Sequence, residues 1–287
     1  MKDAKSKIKE YWNERSSTFD LSPGHVIANK KEGTAWKSLL QEKIGGDAKK
    51  ILDIGTGTGF LSIMLAEMGY EVVGLDISEE MIEKAKKKAM GQGVKVEFKL
   101  GDAENLPFET GSFDALVNRA VLWTIPDPKK AIAEWKRVLK PGGKLCFFLH
   151  KPHPDGVADR VRRHFGNIFI LIAERRNPWN SLYDGKKFGV ELPFRGGVEP
   201  SVITKLLEES GLKNVSAEPM IEIGRLKREG LPLYHKILAS KHAQYCYTAV
   251  KPKRNLKISK RSLELARQTD PSYYWLDEWS QQGHTLI

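Results

Sequence analysis

Three glycines at alternating positions, Gly55, Gly57 and Gly59, separate two short apolar runs of this chain. The first run, residues 51–54, is typical of a buried strand, and the second, beginning at Phe60, is typical of a helix. Glycine lets the backbone approach a ligand closely, and the N–H groups that begin the next helix can bind that ligand. This combination predicts a turn that holds a nucleotide.

Asp53 lies in the first apolar run, and two further carboxylates lie near the ends of later strands. Asp76 lies toward the end of the predicted strand 71–78, where a carboxylate can accept hydrogen bonds from both hydroxyls of a ribose. Asp102 follows the predicted strand 94–100, where it could accept from an adenine amino group. Each of these aspartates, taken alone, could equally cap a helix or begin a turn. Consecutive strands of a doubly wound sheet lie side by side, so we expect Asp53, Asp76 and Asp102 at one crevice.

The glycine spacing argues against a dinucleotide-binding oxidoreductase. That fingerprint requires its third glycine three positions after the second, where this chain has Phe60, whereas Gly59 comes two positions after Gly57. An NAD-dependent oxidoreductase therefore remains the less favoured alternative.

Five motifs, in order, make the chain resemble the class I S-adenosylmethionine-dependent methyltransferases, particularly the small-molecule branch that includes ubiquinone and menaquinone biosynthesis enzymes. The motifs occupy residues 52–59, 74–78, 101–108, 112–117 and 137–143. The resemblance implies an α/β fold: a doubly wound, Rossmann-like sheet of seven mostly parallel strands with helices on both faces.

The resemblance also implies S-adenosylmethionine as the cofactor and S-adenosylhomocysteine as its product. Asp53 would organise the methionine end, Asp76 would hold the ribose, and Asp102 would accept from the adenine amino group. The complete set of cofactor-binding residues implied by the resemblance is Asp53, Gly55, Thr56, Gly57, Asp76, Ile77, Asp102, Ala103 and Asn118.

Methyl transfer from a sulfonium depends mainly on alignment and on excluding water. A general base is needed only if the nucleophile is protonated at the working pH. His150, at the end of the predicted fifth strand, and nearby His153 are the candidate bases, although a structural or substrate-orienting role is equally open. Tyr183 is a further candidate. No carboxylate set has a clear metal-binding spacing, so we expect no metal.

Two regions contribute candidate substrate contacts. Residues 11–20 resemble a segment that closes over the cofactor in the small-molecule branch, and an amphipathic helix covering the sheet is the alternative. After the fourth strand, where the branch more often has a histidine-rich stretch, this chain departs from the pattern, which weakens any transfer of a quinone substrate. The candidates from these regions are Trp12, Phe19, His25, Arg119 and Trp123.

We expect five parts of the chain: a helical cap (1–46), a cofactor-binding half (47–150), an insertion (151–197), the rest of the sheet (198–251) and an extension (252–287). The insertion is rich in arginine. If some of these side chains, such as Arg195, point inward instead of into solvent, a carboxylate or phosphate on the substrate is the natural partner. The aromatic run 273–279 is expected to pack on its own core or on a second subunit, forming a homodimer.

Composition agrees with a cytoplasmic enzyme. The 287-residue chain has no apolar run near the roughly 20 residues needed to span a bilayer, and its charged beginning is unlike a signal peptide. Cys146 and Cys246 are expected to be small buried side chains, and the strand order of the resembling family implies that their strands are neighbours. The formal net charge of +11 motivates an alternative, an RNA-directed methyltransferase or RNA-binding protein. Because the lysines are spread and no RNA-reading module occurs, a small organic acceptor is favoured over nucleic acid.

Overall fold

The computed structural model describes residues 2–21, 24–151, 192–231 and 244–253, together with a few positions between 156 and 172. The chain divides into two compact units, Met1–Pro252 and Lys253–Ile287. Of the second unit, the structure describes only Lys253.

Seven strands form one sheet in the order β3-β2-β1-β4-β5-β7-β6. Their bounds are β1 Lys50–Ile54, β2 Glu71–Asp76, β3 Glu97–Leu100, β4 Phe113–Arg119, β5 Leu139–His150, β6 Lys213–Pro219 and β7 Gln244–Val250. Strands β1 to β5 run parallel to one another, whereas β7 is antiparallel to both β5 and β6. The mostly parallel, doubly wound sheet confirms the predicted fold class.

Helices connect and cover these strands. Their bounds are α1 Lys2–Ser16, α2 Lys30–Ile44, α3 Phe60–Glu67, α4 Glu79–Gly91, α5 Pro128–Val138, α6 Pro200–Glu209 and α7 Ile221–Glu229. Asp127 caps the start of α5, because its side chain accepts from the Lys130 N–H and a proline follows it.

The sheet is buried on both faces, as alternation along β5 shows. Phe147 points to one face, where it packs 6.1 Å from the Trp135 ring and stacks 5.0 Å from Tyr247. Its neighbour Phe148 points to the other face and packs edge-on to Trp36, with 4.9 Å between ring centroids. Helix α5 therefore covers one face and α2 the other, which holds the strand ends rigidly in place.

The two cysteines lie together inside the sheet. Cys146 on β5 and Cys246 on β7 are buried free thiols with their Sγ atoms 3.7 Å apart. The hydrogen bond with Cys246, together with burial, raises the pKa of the Cys146 thiol. The cysteines therefore serve as small buried side chains on neighbouring strands, as predicted.

Several elements differ from the predictions. Strand β2 ends at Asp76 instead of residue 78. Strand β3 begins at Glu97 instead of residue 94, since its pairing with β2 starts there. Strand β5, which the sequence predicts over residues 144–150, begins at Leu139, because Leu139 already pairs with Phe113 across an irregular register. Helix α7 was not predicted: it is nine residues long and begins without a side-chain cap. None of the described helices is both long and apolar enough to cross a membrane.

Candidate functional site

The loop between β1 and α3, residues 55–59 (the glycine loop), turns tightly at the carboxyl edge of the sheet. Gly55, Gly57 and Gly59 all have positive φ, at 63°, 56° and 87°. A β-carbon on Gly55 would collide with the side chain of Val121, which follows β4. The loop therefore passes so close to the end of β4 that only glycine fits at residue 55.

Asp53 holds the glycine loop from below. Its Oδ2 accepts hydrogen bonds from Thr56 Oγ1 at 2.8 Å, from Ser62 Oγ at 2.7 Å and from Ser62 N at 3.1 Å. Desolvation by burial raises the pKa of Asp53 to about 6. Asp53 and Thr56 are buried behind the loop and do not line the adjacent cavity, so their direct effect is on loop shape.

Asp76 joins the end of β2 to the same loop. Its Oδ2 accepts from Gly57 N at 2.8 Å and its Oδ1 from Ser78 N at 2.9 Å. Burial raises the pKa of this carboxyl to about 6. Unlike Asp53, Asp76 lines the cavity together with Ile77.

Asp102 follows β3 and meets the N-terminal helix. Lys5 on α1 lies 2.5 Å from both the Asp102 and the Glu104 carboxylates. The turn is tied down from the other side because Trp135 Nε1 donates to the Ala103 carbonyl at 3.1 Å. Asp102 and Ala103 thus face the cavity from a turn supported by the core.

A cavity of about 1150 Å³ opens at the carboxyl edge of the sheet. Most of the sequence-predicted site residues line it: Trp12, Phe19, His25, Gly55, Gly57, Asp76, Ile77, Asp102, Ala103, Arg119, Trp123, His150 and Arg195. The ends of β1 to β5 therefore converge on one space, in the place where doubly wound sheets bind ligands.

Aromatic side chains from the N-terminal region cover part of this cavity. Trp12 on α1 packs edge-on to Phe19 and Trp123, with centroid distances of 6.0 and 5.9 Å. Phe19 lies 3.8 Å from a β-carbon placed on Gly57, directly over the glycine loop. The first residues of the chain thus close the cavity against the glycine loop.

A cation and a neutral histidine stand beside this cover. Arg119 donates to the carbonyls of Gly24 at 3.0 Å and His25 at 3.5 Å, and its guanidinium lies 3.7 Å from the Phe60 ring centroid. Burial lowers the pKa of Arg119 to about 10, so it remains charged at neutral pH. Burial and the Arg119 charge lower the pKa of His25 to about 4. His25 is therefore neutral, and its 2.7 Å contact with the Phe19 carbonyl assigns the proton to Nδ1.

Asn118, the remaining predicted cofactor residue, is fully buried at the end of β4 and does not line the cavity. Neither polar atom of its side chain has a hydrogen-bond partner among the described residues. An unpaired buried amide costs about 1–3 kcal/mol, so this position fits an amide that pairs with a bound polar group or its water.

Several predicted features lie outside the described residues: His153, Tyr183 and the aromatic run 273–279. Their roles, including a homodimer through the tail, stay predictions. Among the residues that are described, no group of three or more His, Cys, Asp or Glu side chains could hold a metal ion.

Sequence reasoning missed Lys5, Lys227, Arg228 and Gln244, which also line the cavity. Lys5 and Lys227 belong to helices α1 and α7, in which charged residues are common, so no local pattern distinguishes them. Only the packing of those helices across the sheet edge reveals their position.

Residues 52–147 match the methyltransferase domain family. A demethylmenaquinone methyltransferase from Thermus thermophilus is 43% identical over 133 residues, which cover 46% of this chain and 57% of that protein. A ubiquinone biosynthesis O-methyltransferase from Coxiella burnetii is 27% identical over 205 residues, covering 71% of this chain and 77% of the relative.

A solved structure shares the fold. Haemonchus contortus phosphoethanolamine N-methyltransferase 2, in complex with S-adenosyl-L-methionine, superposes with a TM-score of 0.58 at 18% identity. The alignment covers 84% of this chain and 60% of that one. The comparisons confirm the predicted resemblance: residues 52–147 match the methyltransferase domain family, and the solved structure shares the Rossmann-like fold.

Proposed function

We propose that this chain, through the methyltransferase domain of residues 52–147, transfers a methyl group from S-adenosylmethionine to a small organic acceptor. One observation carries the proposal: a glycine loop and the carboxylates of Asp76 and Asp102 face one cavity at the carboxyl edge of the sheet. The relatives, named as a demethylmenaquinone methyltransferase and a ubiquinone biosynthesis O-methyltransferase, support this reaction over the oxidoreductase and RNA-directed alternatives.

The residues present fit this cofactor. Asp76 has two carboxylate oxygens at the cavity for the ribose hydroxyls, and Asp102, once released from Lys5, could accept from the adenine amino group. Gly57 lies beneath Phe19, and the unpaired amide of Asn118 lies at the same strand edge. When bound, S-adenosylmethionine supplies an electrophilic methyl group on a sulfonium that leaves readily.

The remaining work falls to the chain itself. The cover formed by Trp12, Phe19 and Trp123 would exclude water and hold the acceptor in line with the methyl group. His150 lines the same cavity and stands as the candidate base for an acceptor that is protonated at the working pH. His25, neutral at that pH, offers Nε2 as a hydrogen-bond acceptor.

Isothermal titration calorimetry with S-adenosylmethionine, S-adenosylhomocysteine and NAD tests the proposal. We expect both sulfur ligands to bind with one-to-one stoichiometry and NAD not to compete with them. Binding of NAD alone would instead support the oxidoreductase, and tight, salt-sensitive binding of RNA without either sulfur ligand would support the RNA-binding alternative.

We expect the affinity for S-adenosylhomocysteine to rise as pH increases from 5 to 7 and then to level off. Burial raises the pKa of Asp76 to about 6 in the free protein. The ribose hydroxyls would donate hydrogen bonds to the ionised carboxylate, so cofactor binding favours the ionised form. Binding near pH 6 should therefore release protons, which titrations in two buffers of different ionisation enthalpy would count. Asp76→Asn should reduce the pH dependence because an amide does not titrate. An affinity that rises as pH falls would contradict this assignment.

A further inference from the structure

Positive charge gathers on the side of the cavity formed by helix α7 and the end of β4. Lys227 and Arg228 on α7 and Arg119 on β4 all line the cavity. Arg119 donates to the Gly24 carbonyl, while the Lys227 ammonium packs against the same glycine so closely that a β-carbon would not fit. The two cations therefore meet at one backbone segment.

The Lys227 ammonium has no hydrogen bond or ion pair with any residue that the structure describes, and it is half-buried. Burial, reinforced by repulsion from Arg119, lowers its pKa to about 8. A desolvated ammonium without a counter-charge is unfavourable, and a bound anion would remove that cost.

The carboxylates near this cluster are already engaged. Glu32 on α2, which attracts both Arg119 and Lys227, is 2% exposed, and its Oε2 accepts from Ala28 N at 2.8 Å. Asp53 and Asp20 also attract Arg119, but Asp53 is buried beneath the glycine loop and Asp20 pairs with Lys88. None of these three acids lines the cavity, so the cavity-facing side of the cluster presents positive charge to a ligand.

Arg119 is held in place for such a ligand. Two of its guanidinium nitrogens donate to backbone carbonyls and its plane rests on Phe60, so its rotamer is fixed before anything binds. A guanidinium has five N–H donors, more than these two carbonyls require. A rigid guanidinium beside an ammonium group is an arrangement that recognises carboxylate or phosphate oxygens.

We propose that the methyl acceptor carries an oxyanion, a carboxylate or phosphate group, which Lys227 and Arg119 bind on the α7 side of the cavity. This inference rests on the proposed function and narrows its substrate class. The oxyanion would anchor the acceptor at a point away from the glycine loop, so that the rest of the acceptor extends toward the methyl group.

The test uses the full chain saturated with S-adenosylhomocysteine and three small probes: benzoate, phenyl phosphate and the neutral analogue benzyl alcohol. We expect the two anions to bind at least about tenfold more tightly than the alcohol, as measured by calorimetry. Comparison of benzoate with phenyl phosphate distinguishes a carboxylate acceptor from a phosphate one.

Variants of helix α7 assign the effect to Lys227. Lys227→Gln should weaken the preferred anion about tenfold, while Lys227→Arg should retain most of its affinity because it keeps the charge. Arg225→Gln is the matched control: it removes one positive charge from the same helix, at an exposed residue paired with Glu222 and Glu229 that does not line the cavity. It should bind the anion like the wild type.

A second readout is the pH profile. Benzoate affinity in the wild type should fall as pH rises through about 8, where Lys227 loses its proton, and this fall should be absent in Lys227→Gln. Among the charged and titratable groups that face Lys227, Arg119 stays protonated and His25 stays neutral over this range. Glu32, whose charge attracts Lys227, is the remaining one.

Two results would overturn the inference while leaving the proposed function intact. They are equal binding of benzoate and benzyl alcohol, and equal benzoate binding by Lys227→Gln and wild type, each with S-adenosylhomocysteine still bound. If S-adenosylhomocysteine itself does not bind to folded protein, the proposed function fails and this inference fails with it.

Discussion

The Asp76→Ala variant should bind S-adenosylmethionine at least about 100-fold more weakly than the wild type. Each hydrogen bond to a charged group contributes about 1.5–3 kcal/mol, and the proposed ribose contact uses both oxygens of this carboxylate. The substitution also removes the acceptor of the hydrogen bonds that the Gly57 and Ser78 N–H groups donate to Asp76. Cofactor geometry and loop geometry would therefore be lost together, and calorimetry on the purified variant measures the result.

Asp114→Ala is a matched control for this experiment. Asp114 accepts from two backbone N–H groups, those of Lys49 and Lys50, but it lies at the start of β4 and does not line the cavity. We expect this variant to lose about 1–3 kcal/mol of unfolding free energy while its cofactor affinity stays within about threefold of the wild type. If Asp76→Ala behaves like Asp114→Ala, Asp76 is a structural residue and the ribose assignment is wrong.

The sequence predicts the carboxyl edge of the sheet well because local signals lie there. Apolar runs mark the strands. Asp76 is the last residue of β2, and Asp102 comes two residues after the end of β3. In a doubly wound sheet, the sequential strands β1, β2 and β3 become neighbours, so linear spacing translates directly into proximity. The same reasoning placed Cys146 beside Cys246 once the order of the later strands was assumed.

The acceptor side of the cavity could not be predicted in this way. Lys227 reaches it because α7 packs against α2, far away in the chain, and the 202 positions between Gly24 and Lys227 carry no signal of that contact. Lys5 likewise meets Asp102 only because α1 packs against α4, the helix that precedes β3. Hydrophobic periodicity predicts which face of a helix is buried. It does not predict which residues the charged face contacts, because those contacts depend on tertiary packing.

Gly55→Ala should both destabilise the fold and abolish measurable cofactor binding. Gly55 has φ of 63°, which costs an L-residue about 1–2 kcal/mol, and the new methyl group would strike Val121. Overpacking adds about 1–3 kcal/mol, so we expect a total loss of about 2–5 kcal/mol of unfolding free energy in urea titrations. Because the loop must shift to relieve the collision, its N–H groups would no longer face the ligand.

Gly69→Ala separates the collision from the backbone strain, since Gly69 has φ of 91° but nothing within 4 Å of an added β-carbon. It should lose only about 1–2 kcal/mol of unfolding free energy and bind the cofactor normally.

A second comparison tests the collision itself: Val121→Ala removes the methyl groups that an alanine at residue 55 would strike. If close approach between the glycine loop and the end of β4 defines the site, the double variant should regain part of the cofactor affinity lost in Gly55→Ala. Equal affinities for the single and double variants would show that backbone strain alone, and not the contact with Val121, sets the requirement for glycine.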